Sequence, residues 1–127
     1  MLNNSPVLED FGKAIERLKE VLNIEKTAIT RDSAVKRFEL CFDLAWKSIK
    51  EYAKKQGVEC YSPRACFKAA FQLKLIDYEE KWLKMIDDRN LAAHLYKEEK
   101  ADKLYPELSD YLKLFEDLFL KLKSIKL

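Results

Sequence analysis

The chain has 127 residues, 48% hydrophobic and 36% charged, enough to bury one core of its own without metals or other staples. Two glycines and three prolines are too few for an all-β protein of many tight turns, and Gly12 and Gly57 lie too far apart to build a phosphate-cradling loop. The balance of 24 basic and 22 acidic residues, formal net charge +2, excludes a protein that coats long polyanions such as extended DNA, and leaves room for a local site for one RNA strand or one nucleotide.

The apolar periodicity is helical almost throughout. Val7, Leu8, Phe11, Ala14, Ile15, Leu18, Val21 and Leu22 form one stripe over residues 6–24, and Ser5-Pro6 is a capped start for it. Val35, Phe38, Cys41, Phe42, Ala45, Trp46 and Ile49 form the next. Its start is capped by Thr30 or Asp32, and Gly57 suits the left-handed position after its end.

Ser62-Pro63 opens a third helix that stops near Leu75, with Phe67, Ala70 and Phe71 on its inner face. Asp77 and Glu80 have capping-box spacing for a fourth helix, which carries Trp82, Leu83, Ile86 and Leu91. The last segment runs from about Lys100 to Ser124, and Pro106 inside it must either kink the helix or mark its effective start. No linker or repeat interrupts the chain. The expected fold is all-α: an up-and-down antiparallel bundle of four to five helices, one domain over residues 1–127.

Met1 to Pro6 has neither the basic nor the apolar region of a secretory signal, and no apolar run approaches the ~20 residues that span a bilayer. Three cysteines, Cys41, Cys60 and Cys66, make an odd count without a CxxC pair. They read as reduced thiols in a cytoplasmic protein with no disulfide framework and no zinc site.

His94 is the one histidine, and an acid–base site working near neutral pH would use it first. Arg89, His94 and Tyr96 spell R-x4-H-x-Y. Five residues of regular helix place Arg89 and His94 about 140° apart, so one helix cannot easily aim both at a single phosphate. Either the helix stops before His94 or two subunits complete the site. Asn90 and His94 are i,i+4 neighbours, which suits Asn90 to orient the imidazole. Glu39 and Asp43 share a face of the second helix and could hold Arg89 or His94; Asp43 could equally pair with Lys47. Ser62-Pro63-Arg64 offers free backbone N–H groups and a cation, an arrangement suited to an anion, although a plain cap explains Ser62 as well.

R-N-x3-H-x-Y following W-L-x-M-x-D-D resembles the signature of the HEPN family, and within it the HepT-like branch, also called nucleotidyltransferase substrate-binding proteins. Arg37-Phe38-Glu39, Phe42, Asp43, Ala45-Trp46-Lys47, Ser62-Pro63-Arg64, Phe67, Ala70-Phe71 and the run Trp82 to Asn90 extend the likeness over residues 7–122. The resemblance implies a homodimer that brings two R-x4-6-H motifs together, and a minimal nucleotidyltransferase as partner. It implies RNA or nucleotide in the dimer cleft, with cleavage that needs no metal or cofactor. Arg89 and His94 would be catalytic and Tyr96 the acceptor of AMP. Ala92 and Ala93 stand where this branch often carries polar residues. The alternative of another class is a non-catalytic subunit that presents substrate or nucleotide to the nucleotidyltransferase, with Arg89 as a phosphate clamp.

Overall fold

The computed structural model describes residues 5–92 and 98–125, and every element among them is helical. Helix α1 spans Pro6–Leu22, α2 Ala28–Lys55, α3 Pro63–Gln72, α4 Glu79–Ala92, α5 Glu98–Leu104 and α6 Leu108–Ser124. A 3-10 turn, Tyr105–Glu107, joins the last two. Pro106 lies in that turn, so the expected C-terminal helix is two: proline lacks the N–H the ladder would need there. With α5 only seven residues long, the architecture is the expected all-α bundle.

Local chemistry sets the helix ends. The Leu8 N–H donates to Ser5 Oγ at 3.0 Å, with Pro6 in the first turn. Helix α2 is capped by Thr27, not by Thr30 or Asp32. The Thr30 N–H donates to Thr27 Oγ1 at 3.1 Å and the Thr27 N–H donates to Thr30 Oγ1 at 2.7 Å, a reciprocal box that places Thr30 inside the helix. Asp32 instead accepts from Arg31 Nε at 3.1 Å.

At the other end, Gly57 has φ +80° and the Val58 N–H donates to the Ala53 carbonyl at 2.8 Å, the Schellman ending that glycine favours. Helix α3 ends the same way, except that Lys74, φ +63°, holds the left-handed position. It ends at Gln72 rather than near Leu75. Phe71, expected inside, is still within the helix but 44% exposed.

Helix α2 is the central element and packs against α1, α3, α4, α5 and α6, while α1 also packs on α6. The core is a chain of rings. Phe115 meets Phe11, Phe38 and Trp82 at centroid distances of 6.0, 6.1 and 5.9 Å, and Trp82 meets Phe67 at 4.9 Å. Gly12 lets α6 come close: a Cβ there would stand 2.8 Å from Cε1 of Phe119. Arg31 is the one buried charged residue among those described. It binds Asp32, Asp102 at 3.3 Å and Glu98 at 3.8 Å, tying α2 to α5.

The reading of three free thiols needs correction. Cys60 and Cys66 form a disulfide, with Cα atoms 5.1 Å apart. The chain turns at Ser62 into the first turn of α3, which brings two residues six apart within the reach a disulfide requires. Only Cys41 is free; it is buried, and burial pushes its thiol up to about 12. Among the described residues no helix is long and apolar enough to cross a membrane.

Candidate functional site

Arg89 lies in the last turn of α4 and reaches across to α2. Its Nη2 donates to Asp43 Oδ1 at 3.4 Å, and its guanidinium carbon lies 5.7 Å from the centroid of the Phe42 ring. Helical geometry explains why both come from α2: Phe42 and Asp43 are adjacent on a long helix that packs along α4. The bond to Arg89, not the i+4 contact with Lys47, is the one Asp43 makes among the described residues.

The pair is neither sealed nor free. The Arg89 side chain is 31% exposed and that of Asp43 is 37% exposed. Asp43 and the face of Phe42 fix the guanidinium, and its partial exposure leaves it able to meet a planar anion. Its Nε is buried and has no hydrogen-bond partner among the described residues. Glu39, one turn before Asp43, has Oε2 3.8 Å from Lys36 Nζ, and its Oε1 is likewise buried without a partner. Glu39 therefore does not bind Arg89 directly.

Other candidates fall elsewhere. Asn90 is exposed. Arg64 is exposed in the first turn of α3, where Ser62 acts as a plain cap, accepting from the Ala65 N–H at 3.2 Å. No contact joins Arg64 to Arg89 among the described residues. His94 and Tyr96 lie outside the described residues, as does Ala93. Among those described, no group of His, Cys, Asp or Glu is placed to hold a metal ion.

One partnership next to the site escapes sequence reasoning. The buried Tyr111 of α6 donates its O–H to Asp88 Oδ2, and Lys84 Nζ lies 3.9 Å from the same oxygen. Tyr111 also stacks on Phe38 at 5.5 Å. Burial first, and then the Asp88 carboxylate, raise the Tyr111 phenol above its ordinary value. Asp88 is thus anchored to α6 while its neighbour Arg89 is anchored to α2, which fixes the rotation of α4 about its axis. The D-D-R run is the only signal for this in the sequence, and a bond across 23 residues has no local signature.

An arginine near the end of α4, held by an α2 carboxylate within a bundle of six described helices, defines a small all-α protein with a partly exposed, fixed cation. The chain belongs to the family described as nucleotidyltransferase substrate binding protein like, whose model matches residues 7–124. A crystal structure from Thermus thermophilus superposes with a TM-score of 0.83 at 33% identity, covering 89% of this chain and 98% of that one. A Haemophilus influenzae structure described as the substrate binding domain of a nucleotidyltransferase gives 0.82 at 21% identity, covering 92% and 99%. A Haemophilus influenzae protein named "probable ribonuclease HepT" is 27% identical over 84 residues, which span 62% of this chain and 58% of that relative.

Proposed function

We propose that this protein is the HepT-like partner of a minimal nucleotidyltransferase and acts in the cytoplasm as a homodimeric, metal-independent ribonuclease of the toxin type. The observation that carries this reading is Arg89, pinned by Asp43 and Phe42 while its side chain stays 31% exposed.

In this reading His94 of each subunit supplies one half of the proton chemistry. One imidazole takes the proton from a ribose 2′-hydroxyl, whose oxygen attacks the adjacent phosphorus. The other protonates the departing 5′-oxygen, leaving a 2′,3′-cyclic phosphate. Arg89 spans the non-bridging oxygens on which charge builds. Tyr96 is the residue to which the partner adds AMP, blocking the cleft. A tri-AMPylated Shewanella oneidensis HEPN toxin in complex with its MNT antitoxin shares the fold, with a TM-score of 0.76 at 21% identity over 94% of this chain and 95% of that one.

The test incubates the purified protein with single-stranded RNA in EDTA, beside His94→Ala. Cleavage that the variant loses supports the reading; no cleavage at any protein concentration sinks it. Co-expression with the nucleotidyltransferase and mass spectrometry of Tyr96 for AMP-sized additions test the modification. A second reading, a non-catalytic subunit that presents substrate to the nucleotidyltransferase, is favoured by the description of the Haemophilus influenzae structure. RNA or nucleotide binding without cleavage would select it.

A further inference from the structure

We propose that Arg31 is a positioning residue: it latches the short helix α5 onto α2 and so sets where the chain that leaves Arg89 is received. Its weight for catalysis rests on the ribonuclease reading above. The latch uses the whole fork of one guanidinium. Nε meets Asp32 at 3.1 Å, Nη1 meets Asp102 at 3.3 Å and Nη2 meets Glu98 at 3.8 Å, so each nitrogen has its own carboxylate. The Arg31 side chain is 8% exposed, while all three carboxylate side chains are at least half exposed. Arg89 differs, since only its Nη2 meets a carboxylate among the described residues and its side chain is partly open. Of the two arginines, Arg89 is the one able to meet a ligand, and Arg31 is committed to holding α5.

Helix α5 needs such a latch. It has seven residues, well below the ~12–15 at which an isolated helix becomes even marginally stable in water. Ala101 and Leu104 are its only buried residues, against six in α1, so apolar packing alone anchors it weakly. Glu98 and Asp102 are i,i+4 neighbours and present one acidic face of α5 to the cation. Lys26, just before α2, reinforces the contact. It meets Asp102 at 3.0 Å, and its ammonium stands 5.2 Å from the centroid of the Tyr105 ring in the turn after α5. Arg31 thus holds the first residue of α5 through Glu98, and Arg31 and Lys26 together hold its middle through Asp102.

The placement of α5 matters because of what precedes it. Five residues, 93–97, separate the end of α4 at Ala92 from Glu98, and His94 is among them. Asp43 of α2 fixes Arg89 on one side of this connection, and Arg31 of the same helix fixes Glu98 on the other. A connection of five residues follows its ends, so loosening α5 alters how His94 is held relative to Arg89. Arg31 acts on that spacing through α5.

The experiment reads amide hydrogen exchange of α5 and the imidazole resonances of His94, which need no assignment in a chain with one histidine. In the full chain, Arg31→Met should speed exchange of the α5 amides about ten-fold or more while those of α1 and α3 hold, and should displace the His94 resonances. Arg31→Lys should restore α5 protection only in part, because one ammonium cannot reproduce the three directions of the fork. If Arg31→Met does not fold, Glu98→Gln combined with Asp102→Asn removes both acids from exposed sites and should produce the same two changes. In the unsubstituted protein, raising salt from about 0.05 to 0.5 M should speed α5 exchange, and Arg31→Met should lose that dependence. Unchanged α5 protection in the variants overturns the proposal. Faster α5 exchange with His94 resonances that stay in place also overturns it and leaves Arg31 a contributor to stability alone. Where the unsubstituted protein cuts RNA, Arg31→Met should lower kcat about ten-fold with KM nearly unchanged. If exchange and His94 respond while the unsubstituted protein cuts no RNA, the latch stands and the ribonuclease reading fails alone.

Discussion

Arg89 Nη2 and Asp43 Oδ1 lie 3.4 Å apart, although 46 residues separate them in the chain. The contact fixes where the guanidinium of α4 stands over α2, and its partial exposure limits what it adds to stability, about 0–1 kcal/mol. Asp43→Asn should therefore leave the denaturation midpoint almost unchanged. If the protein is the ribonuclease proposed above, cleavage should fall by roughly one to two orders of magnitude, because a misaimed cation no longer meets the developing charge. Paired urea melts and cleavage rates check both halves; equal rates would show that Asp43 does not position Arg89.

Tyr111→Phe keeps the stacked ring and removes one hydroxyl. The Asp88 carboxylate loses a buried donor, so the variant should be less stable by about 1.5–3 kcal/mol in urea denaturation. The alkaline limb carries a second signature. The folded phenol is raised above its unfolded value of about 10, so the stability it supports is complete below that pH and declines as pH rises toward the folded value. The Phe variant should lack this part of the alkaline loss.

On the acid side the informative group is Asp102. Lys26 at 3.0 Å, and then Arg31, hold its carboxyl below the ordinary aspartate range. Its contribution is present above about pH 4 and is lost as pH falls through the lowered folded value. Asp102→Asn should start less stable at neutral pH and show a shallower acid decline. Parallel slopes for the two proteins would remove Asp102 from the account.

Phe115 is fully buried and shared by three other rings. Phe115→Ala should cost about 3–5 kcal/mol, a large part of the 5–15 kcal/mol that holds an ordinary domain folded. Loss of a cooperative thermal transition is the expected result at the upper end.

The Cys60–Cys66 bridge closes a short loop, and chain entropy limits its effect to about 2 kcal/mol. Reduction should lower the urea midpoint modestly and leave helicity intact. Alkylation of the unreduced native protein should find no reactive thiol, since Cys41 is buried and its pKa raised.

Much of this architecture is legible in the residues themselves. Stripes of Phe, Leu and Ile at steps of three and four mark the long helices, and Gly57 and Pro106 mark where they must yield, because each reports a backbone constraint that holds locally. Thr27 is harder to see as a cap, since the Thr27–Thr30 box uses a threonine where glutamate or glutamine is usual. The disulfide escapes because its geometry depends on a turn at Ser62, not on a spacing rule.

For the site, sequence spacing can put Glu39 and Asp43 on one face but cannot decide which of them meets α4. That choice depends on how α2 and α4 pack, and only Asp43 makes the bond. Tyr111 and Asp88, on different helices, are invisible for the same reason.

The close seating of α1 against α6, where Gly12 admits Phe119 and Phe11 meets Phe115, bears on how the molecule is made. A nascent polypeptide still lacking α6 leaves Phe11, Phe38 and Trp82 without the ring that joins them, so the long-range contact between first and last helices is the step that closes the interior.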